Sequence, residues 1–142
     1  MEYIKKGVFI RELSGMSSKA VLEDIMKTAL THGWIEKHDI DEADELLVRL
    51  DAARITHMFL RKECGWADLP DISGASVLRD LYDCRVCVNH IAQVYLRGLM
   101  DSRNIPGVST NGFRIFAGRE RLTADEAEMI YRGIGCVNEK EE

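Results

Sequence analysis

Two cysteines three positions apart, Cys84-Arg85-Val86-Cys87, with His90 one turn further on, are the residues of this chain best spaced for chemistry. Thiols at a helix start suit thiol-disulfide exchange, because the helix dipole stabilises a thiolate; with His90 they also suggest zinc. A structural zinc site takes four ligands, however, and Cys64, His57 and Cys136 are scattered without a second paired knuckle. A thioredoxin-like exchange site needs a strand leading into the helix, and no strand is predicted there. The cysteines are therefore read as reduced thiols, partly in the core, and neither metal nor cofactor is assigned. His32, His38, His57 and His90 have no neighbouring Ser or Asp pattern of the kind a triad uses, so no catalytic residue is assigned and the chain is not read as an enzyme.

Two charged segments complete the candidate chemistry. The run Asp39-Ile40-Asp41-Glu42-Ala43-Asp44-Glu45 lacks the central glycine and closing glutamate of a calcium loop, and is read as the solvated N-terminus of a helix. Arg114, Arg119 and Arg121 surround Phe113 and Phe116, a basic-aromatic edge suited to an acidic protein surface, a glycan or a nucleic-acid strand. Phe116 is expected to plug the core. The binding candidates are Phe113, Arg114, Arg119 and Arg121, with Trp66 at a connector surface and Arg49 for a reason given below.

The elements that must position these residues are predicted to be helices. Val21, Leu22, Ile25, Met26, Ala29 and Leu30 fall at helical spacing before the stop at Gly33. Val48, Ala52, Ile55 and Phe59 form a second stripe; Cys87, Ile91, Val94 and Tyr95 form a third, ending near Gly98. Thr123-Ala124-Asp125-Glu126 is a capping box opening a fourth helix with Ala127, Ile130, Tyr131 and Ile134 on its core face. Residues 104–112 carry the strongest turn signal. The chain repeats itself: Val21, Met26, Gly33 and Ile35 match Val86, Ile91, Gly98 and Met100 at one constant offset, and Leu47, Ala52 and Ile55 match Leu122, Ala127 and Ile130 at another.

These residues resemble the S-layer homology motif, in which a helix ends in Gly plus an apolar residue, a loop follows, and Thr-Arg-Ala-Glu opens a second helix. Gly98-Leu99-Met100, Phe116, Leu122-Thr123 and Glu126-Ala127 follow the pattern, and Gly33-Trp34-Ile35 with Leu47 to Ala53 form the first copy. The resemblance implies repeated helix-loop-helix units and attachment to cell-wall polysaccharide, with Arg49 at the arginine position that contacts glycan. In the second copy Ala124 stands at that position, while the capping threonine survives only as Thr123.

The fold expected is all-α, a single domain over 1–142: repeat 1 about 14–62, connector 63–78, repeat 2 about 79–135 and an acidic tail 136–142. A chain of 142 residues, 46% hydrophobic and 30% charged, is long enough to enclose one core. Its 24 acids against 19 bases, a net charge of −5, disfavour direct nucleic-acid binding. No apolar run spans a membrane and the first residues lack the apolar core of a secretion signal, so a cytoplasmic location is expected. The function expected is a non-catalytic module binding a protein partner, acting as a stand-alone regulator or a mobile-element-encoded inhibitor of a nucleic-acid-handling enzyme. The alternatives are cell-wall glycan attachment, if the chain is exported, and a helix-turn-helix DNA reader over Ser18 to Ile35. A homodimer is also expected to be possible, since two repeats enclose less core than three.

Overall fold

In the computed structural model, residues 2–16, 25–104 and 114–141 are described. Six α-helices run along them: α1 (Lys6–Met16), α2 (Ile25–His32), α3 (Lys37–Asp41), α4 (Arg49–Lys62), α5 (Val88–Leu96) and α6 (Ala124–Glu141). Three short 3-10 turns, Ser73–Val77, Leu81–Asp83 and Arg85–Cys87, lie between α4 and α5. Two-residue strands β1 (Arg103–Asn104) and β2 (Arg114–Ile115) pair antiparallel. The protein is an all-α single domain.

The expected repeat has a physical basis in how its helices end. Gly33 (φ 86°) and Gly98 (φ 76°) both adopt the left-handed conformation that a side chain resists. After each, the next amide donates five residues back, Trp34 to the Ala29 carbonyl at 3.2 Å and Leu99 to the Val94 carbonyl at 3.0 Å. This turns Trp34 and Ile35 inward in one unit and Leu99 and Met100 inward in the other, all at most 4% exposed. The second helices match as well: Ala52, Ile55 and Phe59 of α4, and Ala127, Ile130 and Ile134 of α6, are at most 1% exposed.

A third equivalent helix start, not anticipated from the sequence, precedes α1. Single antiparallel bridges link Lys5 to Leu46, Val48 to Arg121 and Thr123 to Tyr3. The first amide of each helix donates into the next unit: Lys6 to the Glu45 carbonyl (2.9 Å), Arg49 to that of Glu120 (2.8 Å) and Ala124 to that of Glu2 (2.9 Å). The three links close a ring, so α1, α4 and α6 leave one hub in an approximate threefold arrangement. Phe9, Ile10 and Leu13 bring α1 fully into the common core.

Several expectations need correction. The helix stripe from Val21 has its first residues outside the described segments, and Leu30, one of its apolar positions, is 37% exposed. The acidic run is solvated only in part: Asp41, Asp44 and Glu45 are exposed, but Asp39 is completely buried in the first turn of α3. Asp39 accepts hydrogen bonds from Lys6 Nζ (3.0 Å) and from both terminal nitrogens of Arg54 (2.9 and 2.7 Å). Cys84 and Cys87 are not reduced thiols but joined in a disulfide. The connector is more than a linker, since Ala75, Leu78 and Leu81 in and beside its turns are buried.

Truncating Ile130 to Ala should lower unfolding free energy by about 2–5 kcal/mol, since α6 loses methylenes at a fully enclosed site. Leu30→Ala should cost no more than about 1 kcal/mol. Urea denaturation of both variants checks the contrast, and equal losses would contradict the assigned core.

Candidate functional site

Arg49, the first residue of α4, is 1% exposed, which removes it from the binding surface expected of it. Its Nε donates to the Phe116 carbonyl (2.9 Å), and its terminal nitrogens reach Glu126 and the Asp101 carbonyl. The guanidinium also lies 4.8 Å from the centroid of the Phe116 ring, which is fully buried as expected. Glu126 has further duties. It accepts from the Thr123 amide (2.9 Å) while its own amide donates to the Thr123 hydroxyl (3.1 Å), completing the capping box read from the sequence.

The segment after Phe116 is held up from below. Asp80 accepts from the amides of Phe116 (2.7 Å) and Ala117 (2.9 Å), and the Gly118 carbonyl accepts from the Leu50 amide (2.8 Å). Ala117 is thereby fixed at φ 59°, a conformation costing a non-glycine residue about 1–2 kcal/mol. The turn projects Arg119 and Glu120 between two clefts that both residues line. One, of about 670 Å³, also includes Tyr3, Arg103, Arg121 and Thr123; the other, of about 470 Å³, includes Leu50, Ile91, Ile115, Phe116, Asp83 and Cys84.

The cations around this ridge differ in what they already hold. Arg103 is neutralised by Glu120 and Glu126, each at 2.7 Å. Arg121 lies over the Tyr3 ring at 5.7 Å. Arg114 donates to the Ser102 hydroxyl at 3.0 Å and remains half exposed. Arg119 is exposed and has no hydrogen-bond or ion-pair partner among the described residues. The structure thus brings Arg119 and Arg121 to one cleft, with Arg114 on the strand leading to it. Phe113 lies outside the described residues. Trp66 lines neither cleft; it is partly buried against the core with Arg97 5.3 Å above its ring.

Sequence reading also missed a histidine pair. His57 of α4 bonds Asp68 through Nε2 (2.7 Å) and faces the Nδ1 of His90, on α5, through its own Nδ1 (2.7 Å). Asn89 completes the group by donating to Asp68 at 2.9 Å. With Asp68 accepting from His57, one imidazole nitrogen of the facing pair must donate and the other accept, so only one proton occupies that gap. Burial, then the neighbouring His57 and Arg54 charges, depresses the His90 pKa to about 4. Only the separation of these residues along the chain hid them, since no local pattern joins Asp68 to His57 and His90.

Glu36, His38 and Asp39 place ligand atoms within 4.8 Å of one another. The Asp39 oxygens are already engaged by Lys6 and Arg54, which makes this a salt-bridged cluster and not an open ion cage. No protein-family model, curated protein or solved structure matches the chain. What fold and site define is an all-α domain with an internal repeat, carrying an arginine ridge between two clefts.

Two acid-sensitive windows follow. His90 is held neutral, with a folded pKa near 4 against an ordinary 6.5, so the unfolded chain takes up a proton first and stability falls as pH drops from 6.5 towards 4. Asp39 opposes its burial cost through Arg54, the Glu36 amide and Lys6, which hold its pKa at about 2 against 3.8. Its contribution is complete above 3.8 and is lost as pH falls towards 2. Melting temperatures measured from pH 8 to 3 should decline from 6.5 downward, and His90→Gln should flatten the upper window. An unchanged slope in that variant would remove His90 as the cause.

Proposed function

We propose that this domain is a non-catalytic binding module that docks an acidic protein surface on the ridge formed by Arg119 and flanked by Arg114 and Arg121. The observation that carries this reading is Arg119 itself, an exposed guanidinium without a counter-ion among the described residues, raised between two clefts on a turn pinned by Asp80. Arginine at such a position offers planar, bidentate recognition of carboxylates. A local basic ridge on a chain of net charge −5 also orients an approaching partner.

A ridge of this sign favours an acidic partner over the basic groove of a nucleic-acid-handling enzyme, so the inhibitor role is the weaker form of the proposal. The acidic run suited to such a groove has its Asp39 enclosed and neutralised. The helix-turn-helix reading is weaker still, because α2 is followed by α3, a five-residue helix that includes Asp39 and Asp41. No helix among the described residues is long and apolar enough to cross a membrane. The cytoplasmic setting and a homodimer remain parts of the proposal.

A second reading, binding of an acidic cell-wall polysaccharide, draws support from the repeated glycine-ended helices and the ring of helix starts, which suit the S-layer homology resemblance. It loses the glycan contact expected of Arg49, whose polar atoms are used internally.

Arg114→Glu combined with Arg119→Glu should weaken partner capture roughly tenfold or more while leaving the melting temperature unchanged. Affinity capture with wild type and variant in parallel, followed by mass spectrometry, reads this out as acidic proteins retained only by wild type. Equal retention would contradict the ridge as the docking edge. Retention of purified acidic wall polysaccharide in place of proteins would favour the second reading.

A further inference from the structure

The disulfide between Cys84 and Cys87 is not used by the docking ridge, and its surroundings are those of a reactive bond. The two sulfurs differ in access. Cys84 is partly exposed and lines the cleft of about 470 Å³, whereas Cys87 is 9% exposed and caps the start of α5. Between them the chain makes a single 3-10 turn, closed by the Cys87 amide donating to the Cys84 carbonyl at 3.1 Å. That turn keeps the two side chains adjacent whether or not they are bonded. Beside it Val86 is 85% and Tyr82 69% exposed, so an incoming chain meets apolar surface and no covering element among the described residues.

We propose that Cys84 and Cys87 form a thiol-disulfide exchange site whose substrate is a dithiol peptide or protein, admitted through the cleft that Cys84 lines. A substrate thiolate attacks Sγ of Cys84, forming an intermolecular disulfide as the Cys84–Cys87 bond breaks. The bonding electron pair leaves on Cys87, where the positive end of α5 helps carry the negative charge. The substrate's second thiolate then attacks its own bridged sulfur and expels Cys84 as a thiolate. The protein pair has gained two electrons and, on protonation by water, two protons; the substrate dithiol has become a disulfide. Run in reverse, the dithiol form reduces a substrate disulfide. Arg119 lines the same cleft, but the exchange chemistry uses none of its donors, so failure of the docking proposal leaves this one standing.

The test uses the intact wild-type chain, with the pair first closed by oxidised glutathione. The folded protein is mixed with a synthetic peptide carrying one reduced cysteine, quenched in acid, digested and mapped by mass spectrometry. Expected is peptide bridged to Cys84 at least about tenfold more often than to Cys87, as the difference in access requires. A second peptide with two cysteines should leave both protein thiols open to alkylation and be recovered in its own disulfide form. The rate of that reduction should be at least comparable to the rate in strong urea. Bridging mainly to Cys87, reduction more than about tenfold slower in the folded protein than in urea, or failure of glutathione to close the pair would each overturn the proposal.

Discussion

The fold depends on two cations placed where a helix least favours them and shielded from water. Lys6 and Arg49 are the first residues of α1 and α4, each 1% exposed, at helix ends whose dipole is already positive. Each also meets the third residue of the next helix around the ring: Lys6 reaches Asp51 at 3.2 Å besides Asp39 at 3.0 Å and Glu42, and Arg49 reaches Glu126. The equivalent positions in the remaining pair hold Ala124 and Val8, so cation and acid are absent together. Because Lys6 keeps Asp39 and Arg49 keeps two backbone carbonyls, losing either of these acids weakens the link without leaving the buried cation wholly uncompensated. These pairs therefore specify which helix start meets which, a task that interchangeable apolar contacts perform less selectively.

The same constraint makes the turn that carries Arg119 rigid. Arg49 holds the Phe116 carbonyl from inside, and Asp80 holds the amides of Phe116 and Ala117 from the other side. With its backbone fixed on both flanks, the turn can keep Ala117 left-handed and present Arg119 without the ordering cost a flexible loop would incur on binding. Support comes also from Gln93, fully buried on α5, whose amide both accepts from and donates to the Leu69 backbone at 2.8 and 3.1 Å. A single side chain thus ties the connector to the helix below as a neighbouring strand would.

Periodicity made α4, α5 and α6 legible, and the Gly33 and Gly98 stops were legible because a left-handed residue after a helix has few alternatives to glycine. The capping box at Thr123 was equally local. Helix α1 has no such local mark: only the parallel between Ile4-Lys5-Lys6 and Leu47-Val48-Arg49 points to it. The buried Asp39 was misread since an acidic run normally belongs to solvent; its cations, Lys6 and Arg54, lie on two other helices. Asp68, His57 and His90 likewise meet only in three dimensions. Local signals reported the elements, while pairings across the hub could not be read from spacing.

Arg49 and Arg119 show why residue type at a motif position does not establish a site. Resemblance to a glycan-binding motif directs attention to Arg49, and charge clustering directs it to Arg119; both are arginines near the same turn. What separates them is the supply of acceptors. Arg49 meets a carboxylate, two carbonyls and an aromatic face inside the protein, so its desolvation is already compensated and it offers nothing to a ligand. Arg119 meets none of these among the described residues and keeps its donors directed outward. An arginine whose donors are satisfied stabilises its own fold, and one left unsatisfied at a fixed position is free to be completed by something else. On that criterion the internal repeat supplies the scaffold, and the docking surface proposed above lies in the turn where its second copy departs from the first.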